Sequence, residues 1–499
     1  MKITQRNPLV TTHFYLFLII HLTISTTADL LYIPSENILI NCGFPSNTTA
    51  SSNDRNWITD IGSNFMFSAQ PNTSTTSEAS KQSISIPQIP YKTARLFYSQ
   101  LNYSFSVSPG PKFVRLYFYP DSYSGLNQSD AFFTVSSGQF TLLSNFSPSL
   151  TTDYLNQDYL IKEFCINIEG HTLDITFTPS HGYGFVNGIE IVSMPPNLYI
   201  RDELLPFVGQ LNWFEFDNYT ALETVYRLNV GGNEIPPEND TGIFRTWFQD
   251  SHYIFGGSYG ETSKKTEVGI HYPSTVPPYT APEDLYRTAR VMSLDSEINI
   301  HKQLTWSFSL DTGFFYLFRF HLCETRDQIT KPNQIVFYIS IGNETSGDRM
   351  DVIKRSGGNG VPVYVDYVGM VVAEGNYRGK QDLWISLYPC IEANPMYYDA
   401  ILNGLEIFKL NHTDGNLAGS NPPPTNPDRV HSGTPSRRLI LVVGSVVAGG
   451  AIAICLVCFL IYRYGRSLKD KSWVSLANNN RRYLSLVEIT NSRQYEQVG

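Results

Sequence analysis

The sequence predicts an all-β extracytoplasmic region of two tandem β-sandwiches, followed by a single transmembrane helix. Three observations carry that prediction. Short phrases recur in the same order at an offset of roughly 190 to 215 residues: Pro90-Tyr91-Lys92-Thr93-Ala94-Arg95 returns as Leu285-Tyr286-Arg287-Thr288-Ala289-Arg290, and Val186-Asn187-Gly188-Ile189-Glu190-Ile191 returns as Leu402-Asn403-Gly404-Leu405-Glu406-Ile407. A repeat of that period is the mark of a duplicated domain. Within each copy, runs such as Val114–Tyr119, Leu173–Phe177, Tyr316–Phe320 and Ile335–Ile341 alternate apolar and polar residues and are rich in Phe, Tyr, Val and Ile, which is a strand signal. Finally, the uncharged stretch 439–462 is long enough to cross a bilayer core.

Each segment follows in chain order. Lys2 and Arg6 precede an apolar run that ends in Ser25-Thr26-Thr27-Ala28, so residues 1–28 read as a secretory signal peptide. The first sandwich is expected over 29–195 and the second over 206–410, joined by a stretch stiffened by Pro195-Pro196. The two Asn-Gly pairs, at Asn187-Gly188 and Asn403-Gly404, read as tight hairpin turns. From 411 to 438 the chain is rich in Asn, Pro, Ser, Thr and Gly and reads as an extended stalk. Arg463, Arg466, Lys469 and Lys471 follow the 439–462 span, as a cytoplasmic flank requires, and residues 463–499 form a short tail. The expected topology is single-pass type I at the plasma membrane, with the N-terminal region outside.

Charge and chemistry narrow the function. The formal net charge is −9, and because both the leader and the tail are net basic, the region between them is more acidic than the whole. Such a field attracts cations and opposes nucleic acid. Sequons at Asn47, Asn72, Asn102, Asn127, Asn145, Asn218, Asn239, Asn343 and Asn411 all lie between the two apolar segments, as a glycosylated surface would have them. Cys42, Cys165, Cys323 and Cys390 share that oxidising compartment, either paired or as buried free thiols. No metal-ligand spacing, nucleophile elbow or phosphate loop is present, so neither cofactor nor metal is expected.

Ile40-Asn41-Cys42-Gly43, Tyr91-Lys92-Thr93-Ala94-Arg95, Tyr226-Arg227-Leu228-Asn229-Val230-Gly231-Gly232 and Leu402-Asn403-Gly404-Leu405-Glu406-Ile407-Phe408 carry a resemblance. Across nearly the whole extracytoplasmic region the chain resembles the malectin-like ectodomains of plant receptor-like kinases of the FERONIA and THESEUS type. The resemblance implies two malectin-like domains that bind a secreted rapid alkalinisation factor peptide together with a lipid-anchored co-receptor. It also implies the alternative of a pectin-binding lectin tether, to which basic spots at Lys264-Lys265, Arg349 with Lys354-Arg355, and Arg378 with Lys380 would contribute. The tail supplies none of the groups that phosphoryl transfer needs. No kinase activity is expected, leaving a kinase-less decoy or a truncated product as readings of the tail. Animal malectin, similar in fold, uses loop aromatics and an aspartate for sugar. By that likeness the candidate ligand-binding residues are Tyr91 and Tyr123 in the first copy, and Tyr286 and Asp399 in the second. Neither copy keeps a whole set, since Tyr183 stands at the aspartate position of the first. Tyr91 and Tyr286 also fit a core role beside Arg95 and Arg290, whereas Tyr123 lies in the turn-like loop Asp121-Ser122-Tyr123-Ser124-Gly125.

Overall fold

Alternation along each strand decides what faces what. On Gly110–Phe118 (β2), Val114, Leu116 and Phe118 enter one core, while Phe113, Arg115 and Tyr117 point to the other side. The computed structural model describes residues 31–45, 50–52, 55–68, 73–256, 260–263, 267–292, 296–373 and 379–424. The signal peptide, the 439–462 span, the tail, Asn47, Asn72, Lys264, Lys265 and Arg378 lie outside the described residues. Among the described residues no helix is long and apolar enough to cross a membrane. The described chain is mostly β-sheet. Its longest helix, Pro148–Leu155, is eight residues, started by the Ser147 side chain accepting from the Leu150 N–H and ended by Asn156 in the left-handed region.

An eleven-stranded sheet organises the whole. With β1 as Asn37–Asn41, β3 as Leu160–Ile168, β4 as Gly188–Ser193, β5 as Leu222–Asn229, β6 as Phe315–Leu322, β7 as Val363–Met370 and β8 as Gly404–Leu410, its order runs β1-β4-β2-β3-β5-β8-β6-β7. Ala50–Ser52 and Arg55–Thr59 extend it beyond β1, and Phe248–Gln249 pairs with β5. Five strands including Leu101–Ser106, Ala131–Ser137 and Thr172–Gly182 enclose one core against the first half of this sheet. Four strands including Leu304–Asp311, Phe337–Ile341 and Lys380–Pro389 enclose a second core against the other half.

The halves are therefore not separate bodies on a linker. They meet where β3 pairs antiparallel with β5, in the register Glu163 with Thr224, Phe164 with Glu223 and Cys165 with Leu222. Neighbouring residues on a strand point to opposite faces, so charges cross this seam on both. On one face, Arg115 donates to Glu163 (2.6 Å) and Glu190 (2.5 Å), Arg227 donates to Glu163 (2.8 Å) and Glu406 (2.8 Å), and His321 reaches Glu406 (3.0 Å). On the other, Lys162 pairs with Glu223 (2.7 Å), Lys409 with Glu223 (2.5 Å) and Asp311 (2.9 Å), and Lys380 with Asp311 (3.0 Å).

Three expectations are corrected. The Asn-Gly pairs are not hairpin turns, because Asn187 and Asn403 each stand where the chain passes from a short strand into the large sheet. Their glycines are needed for closeness: a Cβ would lie 2.7 Å from Pro90 at Gly188 and 2.7 Å from Leu285 at Gly404. The Pro195-Pro196 join is a roof, with Leu198, Tyr199 and Ile200 buried on the outer face of the large sheet beside the ladder. The stretch read as a free stalk begins as a strap. Leu417 is fully buried in the first core, the Thr141 N–H donates to Gly415 and the Leu417 N–H to Thr141, and His412 stacks on Phe314 at 4.3 Å. A single buried leucine is enough to hold a polar segment that composition alone would leave loose. The cysteine alternatives also resolve: all four are buried free thiols.

Burial alone would raise the Glu163 carboxyl, but Arg227 and Arg115 outweigh it and hold its pKa down to about 2. A depressed carboxylate adds stability above its ordinary range and loses it as pH falls through the folded value. Glu163→Gln is expected to destabilise the protein by about 3–5 kcal/mol at neutral pH, because two buried guanidinium groups lose a shared partner. The gap from the natural protein should narrow between pH 4.5 and about 2, where the natural Glu163 also becomes protonated. Thermal denaturation of both proteins across that range checks it.

Candidate functional site

Each copy builds the same scaffold beneath the candidate residues. Asp60 accepts from the Gly43 N–H (2.8 Å), both arms of Arg95 (2.9 Å each) and the Tyr103 hydroxyl (2.7 Å). Asp250 accepts from the Gly231 N–H (3.0 Å), Arg290 (2.7 and 2.9 Å) and the Trp306 indole (2.9 Å). Gly43 and Gly231 take φ of +74° and +73°, and a Cβ on either would lie 2.3 Å from the carbonyl of Ala94 or Ala289, so only glycine fits. Asn187 Nδ2 donates to Thr93 O and Asn403 Nδ2 to Thr288 O, both at 2.8 Å. These bonds fix the Tyr91 and Tyr286 segments against the large sheet.

The four candidates sit inside this scaffold and are not gathered into one site. Tyr123 is fully buried, its hydroxyl donating to Tyr119 O and accepting from Asn187 Nδ2, each at 2.8 Å. Its ring has no face for a ligand, so the contact role read from its loop gains no support from the geometry. Tyr91 is also buried, packed on Tyr159 at 4.5 Å and Tyr117 at 5.9 Å, and its hydroxyl has no hydrogen-bond partner among the described residues. Tyr286 meets His321 Nδ1 at 3.0 Å. Glu406 can only accept, so His321 carries its proton on Nε2 and takes the Tyr286 hydroxyl on Nδ1. Burial lowers the His321 pKa, outweighing the opposing pull of Glu406. Asp399 accepts from the N–H groups of Met292 (2.9 Å) and Ala400 (2.8 Å) and from Arg326 (2.5 Å). Its pKa is raised, burial outweighing the pull of Arg326.

Of the basic spots, Lys380 is bound to Asp311 and Arg355 to Asp348 at 3.2 Å, while Arg349 and Lys354 lie at the surface. Among the described residues no group of three metal-ligating side chains is assembled. Sequence reading missed two exposed features: the pair Phe255 and Trp384, with ring centroids 4.6 Å apart, and the hairpin formed by Glu203–Pro206 and Trp213–Phe216. The second was readable, since alternation in Trp213-Phe214-Glu215-Phe216 puts Trp213 on the face of Glu215 and away from the two phenylalanines.

Fold and scaffold together define a mostly β-sheet domain with an internally repeated framework. The chain belongs to the malectin-like family, whose model, described as a malectin-like domain, matches residues 40–410. Among curated relatives, the receptor-like protein kinase FERONIA of Arabidopsis thaliana is 44% identical over 99% of this chain and 56% of its own length. The Arabidopsis receptor-like protein kinase ANXUR2 is 36% identical over 90% of this chain and 54% of its own. The chain thus spans about half the length of the curated relatives it matches. A crystal structure of the plant receptor-like kinase FER matches with TM-score 0.72 and 48% identity, covering 78% of this chain and 100% of that one. The FER chain in a crystal structure of the plant peptide RALF23 with FER and LLG2 matches with TM-score 0.70 and 47% identity, covering 78% and 99%.

The geometry separates the two tyrosines. Tyr91→Phe removes an unpartnered buried hydroxyl and should leave stability unchanged or raise it. Tyr286→Phe orphans His321 Nδ1 and should cost about 1–3 kcal/mol. Denaturant titration of both variants measures the contrast.

Proposed function

We infer that this chain carries the extracellular, peptide-binding region of a plasma-membrane receptor of single-pass type I topology. Its two malectin-like β-sandwiches, 29–195 and 206–410, bind a secreted cationic peptide of the rapid alkalinisation factor kind together with a lipid-anchored co-receptor, and the chain itself performs no catalysis. The observation that carries this reading is the match, at 47% identity over 99% of its length, to the FER chain crystallised with RALF23 and LLG2. The acidic net charge of −9 supports it, because the field of the chain favours a cationic ligand. Burial of Tyr91, Tyr123, Tyr286 and Asp399 argues against a malectin-type sugar pocket at those positions.

Asn127, Asn145, Asn218, Asn239 and Asn343 are exposed and suited to carry glycans. Asn102 is half-buried on a strand. Asn411 accepts from the Ala221 N–H (2.7 Å) and donates through Nδ2 to His412 O (2.8 Å), so a glycan there would break the start of the strap. Peptide mapping after enzymatic deglycosylation should show the mass shift at the five exposed positions and an unmodified Asn411.

Calorimetric titration tests the main reading, with an ectodomain carried through Pro424 so that Leu417 and the strap stay in place. Saturable binding of a basic alkalinisation-factor peptide, strengthened by co-receptor and weakened by salt, is expected. Binding of a pectin oligomer alone would replace this reading with the wall tether, and binding of neither would contradict both.

A further inference from the structure

The hairpin of Glu203–Pro206 and Trp213–Phe216 has one face inward and one free. Its register pairs Leu204 with Glu215 and Pro206 with Trp213, so these four side chains share a face, while Leu205, Phe214 and Phe216 pack on the large sheet. The free face is unlike an ordinary solvated one. Trp213 is 60% exposed, Leu204 58%, and Leu211 in the turn 100%. A tryptophan and two leucines held in solvent on a short, well-anchored ribbon form an apolar ridge of the kind that marks an interaction site.

The charges that the hairpin segment itself carries have one sign. From Asp202 to Tyr219 the sequence contains no Lys, Arg or His. Glu344 packs against the turn, where a Cβ on Gly209 would lie 2.1 Å from its carboxylate oxygen. Asp202, Glu215 and Glu344 are exposed, and none forms a salt bridge among the described residues. Arg201, which could have neutralised them, is bound to Asp366 and Glu203.

We propose that this ridge docks a basic segment of a second extracellular protein, seating apolar anchors on Trp213, Leu211 and Leu204 while its Lys or Arg side chains meet Asp202, Glu215 and Glu344. A second copy of this chain is a poor occupant, since like charges would face each other. A bilayer surface would strip water from the same carboxylates and return no counter-charge. The proposal does not rest on the peptide-receptor reading, because the ridge is recognised by its own chemistry and either can fail without the other.

The test uses the full chain in detergent micelles and, as probe, a synthetic amphipathic peptide of Lys, Leu and Trp beside a counterpart with Glu for Lys. Binding is compared for the natural chain, Leu211→Ser with Trp213→Ser, Glu215→Lys with Glu344→Lys, and Asp174→Lys as an exposed acidic control on Thr172–Gly182. Each hairpin pair should weaken binding of the basic peptide by about tenfold or more. The control should bind like the natural chain, and the Glu peptide should not bind. Should either pair lower the unfolding midpoint, the surface substitution Glu215→Gln is read in its place, with a smaller loss expected in the same direction. Equal binding by natural and hairpin variants overturns the proposal, as does an equal loss in the Asp174→Lys control. So does a Trp213-dependent association with phosphatidylcholine vesicles accompanied by unchanged peptide binding, which would assign the ridge to a membrane.

Discussion

Glu163 stands between two arginines that come from different halves of the chain. Arg115 reaches it from β2 and Arg227 from β5, and each arginine continues to a glutamate of its own half, Glu190 or Glu406. Such a run of alternating buried charge cannot lose one member cheaply, since every group left behind would face a desolvated interior without its counter-ion. Only three residue pairs join β3 to β5. The ladder, with its counterpart Lys162-Glu223-Lys409-Asp311-Lys380 on the opposite face, is what makes so short a seam a fixed junction.

Much of the remaining architecture shields that junction from water. Tyr199, delivered by the join between the copies, donates to Glu406 at 2.5 Å and accepts from Arg245 at 2.8 Å, while Arg319 donates to Leu198 O at 2.7 Å. On the opposite face, Gly419 of the strap lies so close to Asp311 that a Cβ would come within 2.3 Å of its carboxylate. The Tyr154 hydroxyl of helix Pro148–Leu155 meets Ser309 Oγ at 3.1 Å, bringing the first half against the second. Any surface that spans both halves has a fixed geometry from this arrangement, and a partner binding across it would not have to order two mobile bodies first.

The sequence made the strands legible because their faces differ: Leu304, Trp306, Phe308 and Leu310 alternate with Thr305, Ser307 and Ser309, and the strand forms as that pattern requires. The recurring framework was legible because Asp60 with Arg95 and Asp250 with Arg290 form the same pairing. The fused sheet was not, since pairing of β3 with β5 depends on which edges meet in space and leaves no periodic trace. Asn187 and Asn403 misled for a related reason. Asn-Gly favours a tight turn locally, but here the asparagine amide is taken by distant carbonyls and the glycine by a ring or side chain above it. Tyr123 sits in a loop of turn-forming residues, and nothing in its neighbours signals that Asn187 draws it inward.

Amide hydrogen exchange across the seam tests the central claim, that the two halves are one cooperative unit, more directly than any substitution. The amides of β3 and β5 at Glu163, Cys165 and Thr224 are expected to exchange about as slowly as those of β2 and β6, opening only with the whole domain. Fast exchange at the seam, with both cores still protected, would contradict it and make the halves two independent bodies in contact.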